Sequence, residues 1–152
     1  RMLMTVVKTI TDLERIGDEA AKIARMAKLI YSTDRLQQPR TAEIRRMSSM
    51  ALEMLRKSLD AFARLDLAAS AEVVRRDQHV DEEFRGVLRQ LITFMMEDPR
   101  TISVSIEILF IAKAIERIGD HAKNISEYVI YMVKGKDVRH VTLEEIEREV
   151  MG

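Results

Sequence analysis

The sequence lacks cysteine and tryptophan, and it has only five glycines and two prolines among 152 residues. The absence of cysteine excludes a disulfide framework and a thiolate metal site. Because glycine and proline interrupt helices, their scarcity predicts long helices joined by short connections. Hydrophobic residues make up 47% of the chain, which is enough apolar surface for a hydrophobic core.

A charge excess and long apolar runs are missing as well. The 25 basic residues balance 25 acidic ones, so the chain lacks the basic excess of a nucleic-acid-binding protein. No apolar run approaches the ~20 residues that a transmembrane helix needs. We therefore expect neither nucleic-acid binding nor membrane insertion. The chain opens on Arg1 inside a helical pattern, so we expect it to be part of a longer protein.

One short segment occurs twice. Residues Glu14 to Asp18 (ERIGD) recur unchanged as Glu116 to Asp120, and such self-similarity indicates a repeated structural unit. In each copy the two acids are four residues apart, on one face of a helix, where like charges destabilise the helix by roughly 0.2–0.5 kcal/mol. The recurrence of this unfavourable pair suggests that a cation compensates it.

Apolar residues spaced three and four apart predict four long helices and a short tail helix. The predicted ranges are 2–31, about 42–65, 67 to about 96, 102–133 and about 143–150. Thr41 and Asp66 are predicted N-caps, Gly135 is a predicted helix stop, and Thr142 begins a capping box. Long helices with short links are typical of an all-α fold, an antiparallel helical bundle.

Only the first and fourth helices share the repeated segment, which predicts the division of the chain. Residues 1–38 would be the last helix of a first three-helix unit, 39–135 a complete second unit, and 136–152 a C-terminal tail. The first two helices of the first unit would then precede Arg1. Since the first helix still has an apolar stripe to bury, we expect it to close a four-helix bundle or to pack on a second copy.

Acidic side chains mark the predicted third and fourth helices. Asp77 and Asp81 are four residues apart, and Asp77 interrupts an apolar stripe, where an unpaired acid is costly. Glu116, Asp120 and Asn124 form an oxygen-bearing stripe on the next helix. The two acid pairs lie about 17 and 18 residues from the turn between these antiparallel helices, hence at the same height. Such oxygens suit hard or borderline divalent cations, so we predict a metal site.

Simpler explanations of these acids remain open. Asp77 and Asp81 could lie on a solvated helix face or pair with basic neighbours, and the same holds for the acids of the fourth helix; the candidate partners are Arg75, Arg76, Arg89, Lys113, Arg117 and Lys123. His121 would be at most an edge ligand. The sequence contains no glycine-rich phosphate loop, no nucleophile elbow and no Ser/His/Asp constellation.

Several segments resemble the PhoU family of phosphate-transport accessory proteins. They are DLERIGD at 12–18, DAFAR at 60–64, TFMMEDPR at 93–100, AIERIGDHAKNI at 114–125 and YMVKGKDVRH at 131–140. The resemblance extends over essentially the whole chain. It implies two tandem three-helix bundles, each with acidic motifs that bind a multinuclear metal cluster.

The resemblance also implies a set of metal ligands. By position the second-repeat site corresponds to Asp77, Asp81, Glu116, Asp120 and Asn124, and half of the first-repeat site corresponds to Glu14 and Asp18. The ions would be divalent or transition metals such as Mg, Mn, Fe or Zn. Lys22 stands where the second repeat has Asn124, and a cation at that position opposes metal binding in the first site.

The function implied by the resemblance is regulatory and non-enzymatic. The protein would be a negative regulator of phosphate uptake and of the phosphate-starvation response. It would link the ATPase subunit of a phosphate ABC transporter to a sensor histidine kinase. We expect a cytoplasmic homodimer or homo-oligomer, with a peripheral position at the inner face of the cell membrane as an option. The alternatives are a metal-dependent hydrolase, in which the carboxylates activate water, and a purely structural helical bundle.

Overall fold

The computed structural model describes residues 2–32, 42–135 and 143–151, and over these ranges the chain is helical without any strand. The helices are α1 (Met2–Ser32), α2 (Ala42–Arg64), α3 (Leu67–Glu97), α4 (Ile102–Lys134) and α5 (Leu143–Met151). A short 3-10 turn, Pro99–Thr101, joins α3 to α4. The prediction of an all-α antiparallel bundle is confirmed.

Two local sequence signals mark helix termini at the predicted positions, one at the start of α3 and one at the end of α4. The Asp66 carboxylate accepts a hydrogen bond from the Ala69 N–H (3.1 Å) and caps α3. Gly135 adopts a left-handed conformation (φ 72°) and donates its N–H to the Tyr131 carbonyl, which closes the last turn of α4. The other two predicted caps, Thr41 and Thr142, lie outside the described residues.

Helix α4 is the centre of the fold, since α1, α2 and α3 all pack against it. The core between α2, α3 and α4 is built on side chains with almost no exposure, including Met47, Met54, Val73, Val80 and Ile115. Burying a side chain of this kind contributes roughly 1.5–3 kcal/mol. The short helix α5 covers a second apolar cluster near the start of α3 and the end of α4.

Helix α1 lies along α4 in the antiparallel direction, and α4 is its main neighbour among the described residues. Ile16 and Ile30 are buried, whereas Leu3, Ile10 and Leu13 on the other side are exposed. Ile30 joins the core cluster that α2, α3 and α4 share, and Ile23 and Met26 pack against that cluster. Since α4 is the main neighbour of α1 among the described residues, closure of a four-helix bundle by α1 stays a prediction. Packing on a second copy remains a prediction.

Membrane insertion was not expected from the sequence. Within the described parts of the chain, every helix is too short or too polar to cross a bilayer.

Candidate metal centre

Three carboxylates meet where α3 packs against α4. Asp77 and Asp81 come from α3 and Asp120 comes from α4, and one ligand oxygen from each lies within 4.8 Å of the others. The short turn between the two antiparallel helices brings these residues to the same height, as their spacing from the turn predicted. The structure thus brings together three of the five residues proposed for this site.

Asp77 is the buried member of the cluster, with only 4% of its surface exposed. Its Oδ1 atom has no hydrogen-bond partner among the described residues, and its Oδ2 atom lies 3.7 Å from the Lys123 ammonium. Gly119 faces the same atom, since a Cβ built on this glycine would lie 3.6 Å from Oδ1. The missing side chain at position 119 therefore leaves a gap of about one methyl group beside this buried oxygen.

The cluster disfavours its own ionisation. Burial, followed by the charges of Asp81 and Asp120, raises the pKa of Asp77 from its ordinary value to about 7, with Lys123 acting in the opposite direction. Burial and the neighbouring Asp120 and Glu116 charges raise the pKa of Asp81. Burial and the Glu116 charge also raise the pKa of Asp120. A bound cation would offset all three effects at once.

The donor set fits a divalent cation. Carboxylate oxygens are preferred ligands of hard ions such as Mg²⁺ and Mn²⁺, and they also bind iron and zinc. The unpartnered Oδ1 of Asp77 and the space opposite it are what a buried ligand oxygen would need. Asp77, Asp81 and Asp120 are the residues that would hold the ion.

The two other residues proposed for this site have different contacts. The Glu116 carboxylate pairs with Lys113 on its own helix (2.6 Å), so it adds negative charge beside the cluster instead of joining it. The amide nitrogen of Asn124 donates to Asp12 of α1 (3.1 Å). The amide nitrogen of Asn124 is thus engaged with α1, and the role of Asn124 as a ligand beside the α3 acids stays a prediction.

Two of the three arginines considered as partners of the α3 acids are engaged elsewhere. Arg75 pairs with Glu147 of α5, and Arg76 pairs with Glu53 and Glu72. Among the described residues Lys123 is the cation that lies within 4 Å of the cluster, and Arg85 and Lys113 act on it from farther away. The pKa values of all three acids are raised in spite of these cations.

The proposed half-site on α1 is arranged differently. Glu14 and Asp18 are both exposed. Within the described residues they belong to no group of three or more potential ligands. Their role as ligands of a first-repeat site stays a prediction.

A buried polar hub between α1 and α4 was not foreseen. Asp12 is 4% exposed and accepts hydrogen bonds from Asn124 and from the Tyr128 hydroxyl (2.7 Å), and it pairs with His121 Nδ1 (2.7 Å). His121 is thereby directed to α1, away from the acidic cluster. The sequence did carry a signal, because Asp12 stands four residues before the buried Ile16 on the same helix stripe, an acid at a core position just as Asp77 is.

Comparison with known proteins gives a consistent match. The family model described as the PhoU domain matches residues 44–129. The phosphate-specific transport system accessory protein PhoU homolog of Pseudomonas putida is 46% identical, over 100% of this chain and 59% of its own length. The corresponding PhoU protein of Escherichia coli (strain K12) is 44% identical, over 100% of this chain and 62% of its own length.

Solved structures agree with the sequence match. The crystal structure of PhoU from Pseudomonas aeruginosa superposes with a TM-score of 0.85 at 44% identity, covering 90% of this chain and 65% of that one. The phosphate transport system regulatory protein PhoU from Streptococcus pneumoniae gives a TM-score of 0.79 at 25% identity, covering 89% and 63%. The chain therefore spans about three fifths of the length of the relatives that it matches.

Proposed function

Because this chain belongs to the PhoU family, we propose that it acts as a non-enzymatic negative regulator of phosphate uptake and of the phosphate-starvation response. The observation that carries the proposal is an identity of 46% along the entire chain with a protein named as an accessory of phosphate-specific transport. By this proposal the partners are the ATPase subunit of a phosphate ABC transporter and a sensor histidine kinase. The protein works in the cytoplasm, peripheral to the inner face of the cell membrane.

The proposed metal centre has a structural task in this function. Asp77, Asp81 and Asp120 hold a divalent or transition ion such as Mg, Mn, Fe or Zn, and Glu116 contributes charge beside them. When bound, the ion supplies positive charge that fixes α3 against α4. Support for this comes from the unpartnered buried oxygen of Asp77 and from the raised pKa values.

We further propose that α1 closes a preceding three-helix unit in a longer protein, with the boundaries 1–38, 39–135 and 136–152. The support is the exposed apolar face of α1 and the greater length of the relatives. That face is covered either by the preceding helices or by a second copy of the chain.

The regulatory proposal is tested in a bacterial strain that lacks its own PhoU protein and carries a reporter of phosphate starvation. Expression of this protein should return the reporter to its low, phosphate-replete level. The double variant Asp81→Asn/Asp120→Asn should restore repression less well, whereas Arg45→Gln, an exposed change on α2, should match the wild type. If the wild type leaves the reporter fully active while soluble protein accumulates, the regulatory role is refuted.

A metal-dependent hydrolase is the competing function, because the same acidic cluster could activate water when metal is bound. A phosphatase assay on metal-loaded protein separates the two functions, with Asp120→Asn as the control. We expect no turnover above the level of that variant. Turnover that the wild type shows and the variant loses would replace the regulatory proposal.

A further inference from the structure

A groove of about 540 Å³ runs between α1 and α4. Four basic side chains line it: Arg15, Lys22, Arg25 and Arg117. Two acidic residues, Asp18 and Glu19, line it as well, so cations outnumber carboxylates by two. We call this feature the cationic groove. It is separate from the acidic cluster, since Arg117 is directed to α1 whereas Asp120 meets α3.

The positive charge of the cationic groove is only partly compensated. Glu19 holds two of the cations through one oxygen, because its Oε1 atom lies 3.2 Å from Lys22 and 3.6 Å from Arg117. Arg15 and Arg25 have no ion pair or hydrogen bond with any described residue. Two guanidinium groups are therefore free to bind a ligand in this groove.

The Glu19 carboxylate has one oxygen without a hydrogen-bond partner in the described part of the chain, and this oxygen also bears on the choice of ligand. The residue is only 7% exposed, and its Oε2 atom is buried without a hydrogen-bond partner among the described residues. A buried carboxylate oxygen left unpaired is costly, so a turn of the Glu19 side chain that brings this oxygen to a hydrogen-bond donor in the groove would be favoured. The side chains of the groove therefore favour a ligand that is negatively charged and also carries an O–H group.

We propose that the cationic groove binds a phosphate group, either free phosphate or a small phosphomonoester. Guanidinium groups bind such tetrahedral oxyanions through paired hydrogen bonds. Free phosphate carries at least one O–H at neutral pH, and a nucleoside monophosphate carries sugar hydroxyls, so both can donate to Glu19. Sulfate offers the same charge and shape without an O–H. The volume lies within the roughly 300–1,000 Å³ usual for small-molecule sites, which leaves room for a phosphomonoester.

This site is independent of the proposed regulatory role. It is tested by isothermal titration calorimetry on EDTA-treated protein at pH 7, with inorganic phosphate, adenosine monophosphate and sulfate as separate titrants. We expect binding of phosphate, of the monophosphate, or of both, and sulfate binding at least about tenfold weaker. Binding of the monophosphate alone assigns the site to phosphomonoesters. No binding of either, or sulfate binding equal to phosphate, overturns the proposal.

Variants locate the binding. Arg15 and Arg25 are about 15 Å apart along α1, so the phosphate group lies beside one of them. One of the variants Arg15→Gln and Arg25→Gln should therefore weaken phosphate-group binding by about tenfold or more, because it removes a charge-assisted hydrogen bond. Arg45→Gln, the same change at an exposed position of α2 outside the groove, should leave the affinity unchanged. Glu19→Gln supplies an N–H donor, so it should bring sulfate to within about threefold of phosphate. If neither Arg15→Gln nor Arg25→Gln lowers the affinity more than Arg45→Gln, the binding is nonspecific ion pairing and the site is refuted.

Discussion

The two copies of the ERIGD segment have identical sequences and different surroundings. On α4, Asp120 joins two acids of α3, and Glu116 pairs with Lys113 beside them. On α1, Glu14 and Asp18 are exposed. The motif therefore does not make a metal-binding arrangement by itself. It acquires one where a neighbouring helix supplies further carboxylates at the same height, as α3 does for the second copy.

The positions at which the two copies differ build the contact between them. Ala114 on α4 corresponds to Asp12 on α1, and His121 corresponds to Glu19. Asp12 and His121 pair across the interface, and Glu19 contacts Arg117. The divergent positions thus supply complementary polar groups where the two helices meet. Four experiments test this contrast between the copies.

The largest effect is expected at the divergent position on α1. Asp12→Ala leaves the hydrogen-bonding groups of His121, Asn124 and Tyr128 without their acceptor, which should lower the free energy of unfolding by about 3 kcal/mol. Urea denaturation measures the loss, and hydrogen exchange should show α1 as the least protected helix. Asp18→Ala, on the exposed face of the same helix, should change stability by less than about 0.5 kcal/mol. Equal effects of the two variants would show that the Asp12 hub does not hold α1.

Metal should stabilise the protein through the second copy alone. An ion at a hundredfold excess over its dissociation constant adds about 2.7 kcal/mol, which thermal melts with Mg, Mn, Fe or Zn would detect. Asp81→Asn/Asp120→Asn should remove this gain and make the metal-free form more stable by relieving repulsion. The matched variant Glu14→Gln/Asp18→Asn should keep the full gain. A wild type that none of these ions stabilises would show that the cluster is not a metal site.

The metal-free protein should lose stability as the pH rises. The pKa of Asp77 goes from 3.8 to about 7 on folding, so between these values the folded state holds a proton that the unfolded chain has released. Stability therefore falls from about pH 4 to pH 7. The fall should be roughly 2 kcal/mol, since each pKa unit is worth about 1.4 kcal/mol and neighbouring acids share the shift. Denaturation in EDTA at several pH values should show a flatter profile for Asp77→Asn than for wild type; identical profiles would contradict the assignment.

The smallest effect concerns the glycine of each copy. Gly17→Ala should stabilise α1 by about 1 kcal/mol through helix propensity, because no atom lies within 4 Å of the added Cβ. Gly119→Ala should give a similar gain without metal, since its Cβ would make ordinary contacts with Asp77, Val80 and Met54. It should also weaken metal binding by filling the space beside Asp77 Oδ1. Thermal melts with and without metal separate the effects, and an unchanged metal response in Gly119→Ala would show that this space is not used.

Sequence reasoning performed unevenly across the candidate site. It found Asp77 from one acid in an apolar stripe, and it found the encounter with Asp120 by counting residues back from a short turn. It missed the Asp12 hub although the same criterion applied, and it did not foresee that the Asn124 amide nitrogen donates to α1.

Local signals in the sequence were enough to predict the helices of this protein. Helix boundaries followed from the spacing of apolar residues, the Asp66 cap and the left-handed Gly135, because these interactions involve residues only a few positions apart. The neighbouring helix that each polar residue of α4 contacts could not be predicted in this way, because it depends on the tertiary packing. Neighbouring positions on a helix differ by about 100°. Asp120 therefore faces α3 while His121 faces α1, and that outcome depends on which helices pack on each side.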